Sequence, residues 1–262
     1  MNTNREPRAP GTANHTFSLE ARVAVVTGAT GGIGRAICRS LAQAGCRVAV
    51  VFRQKQAEAE ALADALPGSD HAAFQADVTR SDSLDNLSRA LASRYGTVDV
   101  LVNCAGTTRF VPHGDLAALD DDLIDSIFRT NWRGPFATIR SLRQLLEAQD
   151  GGVVVNISSV AATLGIGSNV AYCASKAALD TMTTSLARAL APAVRVMTVS
   201  PGLVDTEFIK GMDPKWSDSY ITKTPMGRLV EPEEVGQAVV AAATLSAATG
   251  SSIIVDGGRV LG

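Results

Sequence analysis

Tyr172 and Lys176 stand four residues apart in the stretch AYCASK (171–176), in a chain with three tyrosines and with five lysines against 19 arginines. No other lysine occurs between Lys55 and Lys210. On a helix, residues i and i+4 share a face, so this phenol and this ammonium can reach one site. Proton transfer is the chemistry such a pair can do. A phenol titrates near about 10 in water. A neighbouring ammonium favours the phenolate and lowers that value, which predicts a general acid/base usable near working pH. Taken alone, the pair also fits a helix with an exposed lysine and a core tyrosine. Ser158 and Ser159 lie at the end of the apolar run GVVVNIS (152–158). Either hydroxyl could stabilise charge developing on a substrate oxygen, and strand alternation allows only one of the two to face the site.

A second constellation is the glycine-rich TGATGGIG (27–34), where Gly28, Gly32 and Gly34 follow the spacing GxxxGxG. Residues without a Cβ let backbone N–H groups approach a phosphate, and a helix N-terminus adds a favourable dipole. The stretch follows the first predicted strand and opens the first predicted helix, the place where doubly wound sheets bind dinucleotides. VNCAG (102–106) ends the fourth predicted strand. The carboxyl ends of parallel strands line the ligand crevice.

These residues need a frame, and the hydrophobic pattern supplies one. Short β-branched runs at 22–27, 47–52, 72–77, 98–103, 152–158, 194–200 and 252–256 alternate with helical stretches at 32–45, 56–68, 81–96, about 119–149, 170–191 and 231–245. Ser81 is the expected N-cap of the third helix. Strand–helix alternation predicts an α/β fold: one doubly wound domain with a parallel sheet of about seven strands and helices on both faces. The domain is expected over 19–262, after a disordered polar tail at 1–18. The irregular segment 205–230 is read as a lid.

Composition narrows the function. A net charge of −2 with mixed signs offers no basic field for nucleic acid or an anionic membrane. No apolar run reaches the ~18–20 residues of a membrane span. The four cysteines form no CxxC pair and the three histidines have no metal-ligand spacing. Reduced, buried thiols and a cytoplasmic location are expected, with no metal. A hydrolase would need a GxSxG nucleophile elbow, and none occurs.

From Arg22 to Gly258 the motifs and their order resemble the short-chain dehydrogenase/reductase family. They are TGATGGIG, Asp77, NCAG (103–106), Asn131, Ser159, YCASK (172–176) and PGLVDT (201–206), with 13 residues from Ser159 to Tyr172. The family usually has NNAG where Cys104 stands here. The resemblance implies a Rossmann-type dinucleotide fold with a nicotinamide cofactor, and hydride exchange between that cofactor and a carbonyl or alcohol carbon. It selects Ser159 over Ser158, makes Tyr172 the acid/base, gives Lys176 the nicotinamide ribose, and lets Asn131 hold a water that relays protons to Lys176. It also implies that Asp77 meets the adenine, that Pro201 and Gly202 lie beside the nicotinamide, and that Val204 and Thr206 meet its carboxamide. Thr30, Gly31, Ile33, Val78, Asn103, Ala105 and Gly106 complete the implied cofactor-binding set. A catalytically silent dinucleotide-binding regulator on the same fold is the alternative class; its mark would be loss of Tyr172 or Lys176, and both are present.

Cofactor choice is expected to fall on NADP(H), with NAD(H) possible. The second strand ends in VFRQ (51–54), with no acid to accept from a ribose 2′-OH. Arg53 there offers a permanently charged fork for a 2′-phosphate. The resemblance further implies a homo-oligomer, a tetramer with a dimer as the alternative. Its nearest branch includes the 3-oxoacyl-carrier-protein reductases. Those enzymes dock an acidic carrier beside the active-site mouth, where this chain has LEAQDGG (146–152) and the uncharged ALAPAV (189–194). Other cations that could serve are Arg133, Arg140 and Arg143. The preferred substrate is therefore expected to be a free small ketone or alcohol, bulky and apolar given Phe208, Met212 and Trp216 in the lid.

Overall fold

The computed structural model describes residues 18–207 and 214–261, with side chains in the second segment from residue 218 onward. The expected tail therefore lies almost wholly outside the described residues, as do Phe208, Met212 and the side chain of Trp216. The β-branched runs form seven parallel strands: β1 (Val23–Thr27), β2 (Arg47–Phe52), β3 (Ala72–Gln75), β4 (Val100–Asn103), β5 (Gly152–Ile157), β6 (Val194–Pro201) and β7 (Ser252–Val255). Their order across the sheet is β3-β2-β1-β4-β5-β6-β7. All residues of β1, β4 and β5 are buried, as a sheet covered on both faces requires.

Helices α1 (Gly32–Gln43) and α2 (Gln56–Ala65) cover one face together with α9 (Pro232–Thr244); α3 (Ser81–Tyr95), α5 (Gly134–Leu146) and α7 (Val170–Leu190) cover the other. Two apolar cores result. One gathers Ile37, Leu41, Leu62 and Val239; the other gathers Leu84, Leu91, Leu142 and Leu179. After β3 the chain returns to the opposite side of β1 to lay down β4. The crevice at this reversal is the switch point at which such sheets bind ligands.

Several expectations are corrected. The helix expected over 119–149 is α4 (Asp121–Phe128), one turn of π-helix (Arg129–Arg133) and α5. A π-turn adds a residue without ending the helix, and Asn131 sits in it with 1% exposure. Ser81 is the first helical residue of α3; the cap position belongs to Arg80, whose side chain pairs with Asp82 at 2.6 Å. The segment 205–230 is not irregular throughout, because it contains α8 (Pro214–Thr222). A short α6 (Ala161–Leu164) follows β5. In the C-terminal run, Ile254 is 51% and Leu261 84% exposed. Among the described residues, no helix is long and apolar enough to cross a membrane.

Candidate active site

Helix α7 carries Tyr172 and Lys176, and its start is fixed by Asn169. This fully buried amide accepts from Tyr172 N–H at 2.7 Å and donates to the Arg109 carbonyl at 2.7 Å. An N-cap of this kind satisfies an orphan helical N–H. Here it also ties the first turn of α7 to the loop after β4. Sequence reading missed Asn169, although an asparagine just before a periodic run is a helix-start signal.

The two serines separate cleanly. Ser158 is 4% exposed and its hydroxyl donates to the Lys176 carbonyl at 3.3 Å, beneath α7. Ser159 lines the open cleft together with Tyr172. Lys176 is buried, and its Nζ donates to the Ile157 carbonyl at 2.7 Å and lies 5.8 Å from the Tyr172 ring centroid. Asn131 is no solvent-facing amide. Its Oδ1 accepts from Thr107 N–H at 2.8 Å, and its Nδ2 donates to the Thr107 carbonyl at 3.0 Å and to Ser175 Oγ at 3.2 Å. Ser175 in turn donates to the Tyr172 carbonyl at 2.8 Å. A Cβ on Gly106 would lie 3.5 Å from Asn131 Oδ1 and 4.0 Å from Lys176 Nζ, so these three positions share one corner.

Burial dominates the titration of the pair. It lowers Lys176 to about 8, against smaller opposing effects of Cys104 and Asp180. Burial also raises Tyr172 above the ordinary phenol value, with the Ser159 hydroxyl pulling the other way. The expected lowering of the phenol by Lys176 is therefore corrected: taking the phenolate out of water costs more than its neighbours return. Cys104 is pushed up to about 12 by burial, so it remains a thiol.

Deeper in the sheet, Asn103 Nδ2 donates to Asn156 Oδ1 and Asn156 Nδ2 donates to Thr183 Oγ1, both at 2.9 Å. Thr198 joins Thr183 at 3.0 Å. This chain of buried amides and hydroxyls pins β4, β5, β6 and α7 to one another. The side chain of Asn103 thus points into the protein, where its Nδ2 is paired and its Oδ1 has no hydrogen-bond partner. The readable signal for Asn156 was a polar residue inside a fully buried apolar run.

Across the switch point lies the glycine turn. Gly28 has φ +66°, and a Cβ there would lie 2.8 Å from Ala105 Cα, so β1 and the loop after β4 approach as only glycine permits. Thr27 Oγ1 holds the same junction, accepting from the N–H groups of Cys104 at 3.1 Å and Ala105 at 3.2 Å. Thr206 closes over the turn, within 2.9 Å of where a Gly32 Cβ would stand. Gly31 and Thr30 belong to the same turn; the Thr30 carbonyl accepts from Arg35 at 2.9 Å. Val78 is buried against Gly134.

Two cavities lie at the carboxyl ends of the strands. One of about 500 Å³ is lined by Arg53, Gln54, Gln75, Asp77, Ser83 and Asn86. Asp77 Oδ1 accepts from Thr79 N–H and Oγ1 at 2.9 and 2.7 Å. Burial pushes this carboxyl up, but the Thr79 bonds and the charges of Arg53 and Arg80 outweigh it and hold the pKa low. The other cavity, about 320 Å³, runs from Ile33, Gly202, Val204 and Thr206 to Ser159 and Tyr172. Glycines that no Cβ could replace, a cation at the end of β2 and hydroxyls beside the second cavity fit an extended dinucleotide. Among the described residues, no His/Cys/Asp/Glu group could hold a metal.

A family model described as enoyl-(acyl carrier protein) reductase matches residues 28–259. A crystal structure described as that of a short-chain dehydrogenase/reductase from Burkholderia xenovorans superposes with a TM-score of 0.85 at 34% identity, covering 92% of this chain and 99% of that one. The chain belongs to the short-chain dehydrogenase/reductase family. As a member of that oxidoreductase family it takes a nicotinamide cofactor. The relatives of this short-chain dehydrogenase/reductase differ in what they act on. It is 38% identical to the D-threitol dehydrogenase of Mycolicibacterium smegmatis, over 94% of this chain and 95% of that one. It is 36% identical to carbonyl reductase family member 4 of Danio rerio, over 92% and 99%. It is 33% identical to the 3-oxoacyl-[acyl-carrier-protein] reductase of Vibrio cholerae, over 94% and 100%.

Proposed function

We propose that the protein exchanges a hydride between NADP(H) and a free ketone or secondary alcohol, with Tyr172 as general acid/base. The observation that carries this reading is the convergence of Ser159 and Tyr172 on one cleft, with Lys176 against the Tyr172 ring. The nicotinamide, when bound, supplies or takes the hydride. Ser159 donates a hydrogen bond to the substrate oxygen, where negative charge develops. Tyr172 gives its proton to that oxygen in reduction and takes it back in oxidation. Its raised pKa keeps the acid form present at neutral pH. Lys176 holds the ribose hydroxyls, and Asn131 retains acceptor capacity on Oδ1 for a relay water.

Arg53, whose charge also acts on Asp77, supports NADP(H), since a guanidinium suits a 2′-phosphate and residues 51–54 hold no acid. A free substrate is favoured over a carrier-borne one because the candidate docking arginines are engaged. Arg133 donates to the Thr79 carbonyl, Arg140 donates to Ser81 at 3.3 Å, and Arg143 pairs with Glu147 at 2.8 Å. Homo-oligomerisation, preferably to a tetramer, is supported by the half-exposed, stacked Trp132 and Phe136 near the start of α5 and by the exposed Ile254 of β7. Nicotinamide absorbance on mixing the protein with NADPH or NADH and a panel of ketones tests the activity. Equal or better efficiency with NADH would sink the cofactor choice. A tenfold preference for a 3-oxoacyl chain on carrier protein over the same chain on a short thiol, abolished by salt, would sink the free-substrate reading.

A further inference from the structure

The cleft beside Ser159 and Tyr172 is walled mainly by apolar side chains, among them Val160, Leu164, Ile166 and Leu203. Among the described residues that line it, the charged ones are Lys223 and Arg259, both cations. Lys223 is exposed at the end of α8. Arg259 is set in place by the C-terminal turn. Gly257 and Gly258 have φ of +66° and +87°, and a Cβ on Gly258 would meet Pro225 at 3.0 Å. The Asp256 carboxylate accepts from Gly258 N–H and from Val260 N–H, each at 2.8 Å. The guanidinium lies 5.4 Å from the centroid of the Tyr220 ring, and the Tyr220 hydroxyl accepts from Leu203 N–H at 3.1 Å. A fixed guanidinium on an apolar wall suits one ligand feature above others. Its planar fork binds carboxylate or phosphate with charge-assisted hydrogen bonds, and the low-dielectric surroundings strengthen the attraction.

We propose that the substrate carries an oxyanionic group, carboxylate or phosphate, which Arg259 with Lys223 reads in this cleft. The keto or hydroxy carbon then lies at Ser159 and Tyr172, and the apolar wall covers the segment between. The inference rests on the oxidoreductase reading of the same cleft, and it makes Arg259 a specificity determinant. A purely structural role, packing on Tyr220 as a cation–π pair, predicts no discrimination between charged and neutral substrates.

The test compares an oxo acid with its methyl ester, and a phosphorylated hydroxyketone with its unphosphorylated form, using the full chain and NADPH. In each pair the ratio of kcat/KM is read. At least one anionic member is expected to exceed its neutral counterpart about tenfold or more, and the better pair identifies carboxylate or phosphate. Arg259→Gln is expected to lower that ratio by roughly 10- to 100-fold, the loss typical of charge-assisted hydrogen bonds. Arg259→Lys, which keeps the charge on the same turn, should retain part of it, and Lys223→Gln should have the smaller effect. Calorimetric titration of the same acid or of inorganic phosphate into the NADP⁺-loaded protein reads the site without turnover. Neutral members that match or beat the anions, an unchanged ratio in Arg259→Gln, a loss confined to the KM for NADPH, or anion binding equal in wild type and variant would each overturn the proposal. Neutral ketones turned over without anion preference would leave the oxidoreductase reading intact. Arg259-dependent anion binding with no hydride transfer to any ketone would break that reading and overturn the substrate proposal built on it, leaving only an anion site.

Discussion

The two ends of the crevice are built on opposite principles. At the end of β2, Arg53, Gln54 and Asn86 are exposed, and Asp77 is the partly buried carboxylate among them. Around Lys176 the polar groups are dry: Asn131, Ser175 and Asn156 are at most 1% exposed, and each bonds to another protein group. A solvated charge at the first end can be exchanged with little effect on the fold. At the second end most polar atoms are committed to protein partners, so chemistry and stability are coupled there. Selectivity can therefore be altered at one end while reactivity at the other tolerates almost nothing.

Removing the Tyr172 hydroxyl should give the largest effect. Tyr172→Phe is expected to lower kcat by about 10²–10⁴-fold while NADPH binding, followed by fluorescence, persists. Wild-type turnover in this variant would remove the acid/base assignment. Next in size is Asn169→Ala, which deletes the cap and leaves the Tyr172 N–H and the Arg109 carbonyl without their partner. A loss of roughly 1–3 kcal/mol is expected, read from urea unfolding. An unchanged midpoint would show that the buried end is less tightly coupled than its hydrogen bonds indicate.

Arg53→Ala probes the contrasting end. Its unfolding midpoint should stay within about 0.5 kcal/mol of wild type, while the kcat/KM preference for NADPH over NADH falls about tenfold, in a salt-dependent way. A preference that survives the substitution would place 2′-phosphate recognition elsewhere.

The last contrast is a pH dependence of stability. Burial lowers Lys176 to about 8 from an ordinary 10.5. Between these values the unfolded chain binds the proton that the folded chain has released, so stability rises with pH across that window, and the cost is fully present below about 8. Lys176→Met lacks this contribution. The stability of wild type relative to the variant should increase between neutral pH and about pH 10, measured as paired urea midpoints. A flat difference would mean that Lys176 titrates as if solvated, and the contrast between the two ends would weaken.

The β-branched runs alternating with amphipathic helices determined the sheet, because a strand buried on both faces must be apolar along its whole length. Glycine spacing after β1 determined the close turn, since φ +66° at Gly28 with Ala105 against it excludes a side chain. The spacing of Tyr172 and Lys176 determined that they share a helix face. Tertiary structure decided what those groups experience. Ser158 and Ser159 are chemically identical, and only the direction of the chain leaving β5 sends one under α7 and the other into the cleft. The π-turn that buries Asn131 inserts one residue without ending the helix, and the single helix expected over 119–149 gave no sign of it. The acidity of Tyr172 depended on how much water is excluded around it. Residue spacing carries no record of that, because desolvation comes from side chains brought together across the whole sheet. Arg259, 87 residues after Tyr172 in the chain, became part of the same cleft through the C-terminal turn, a long-range contact that local pattern cannot encode.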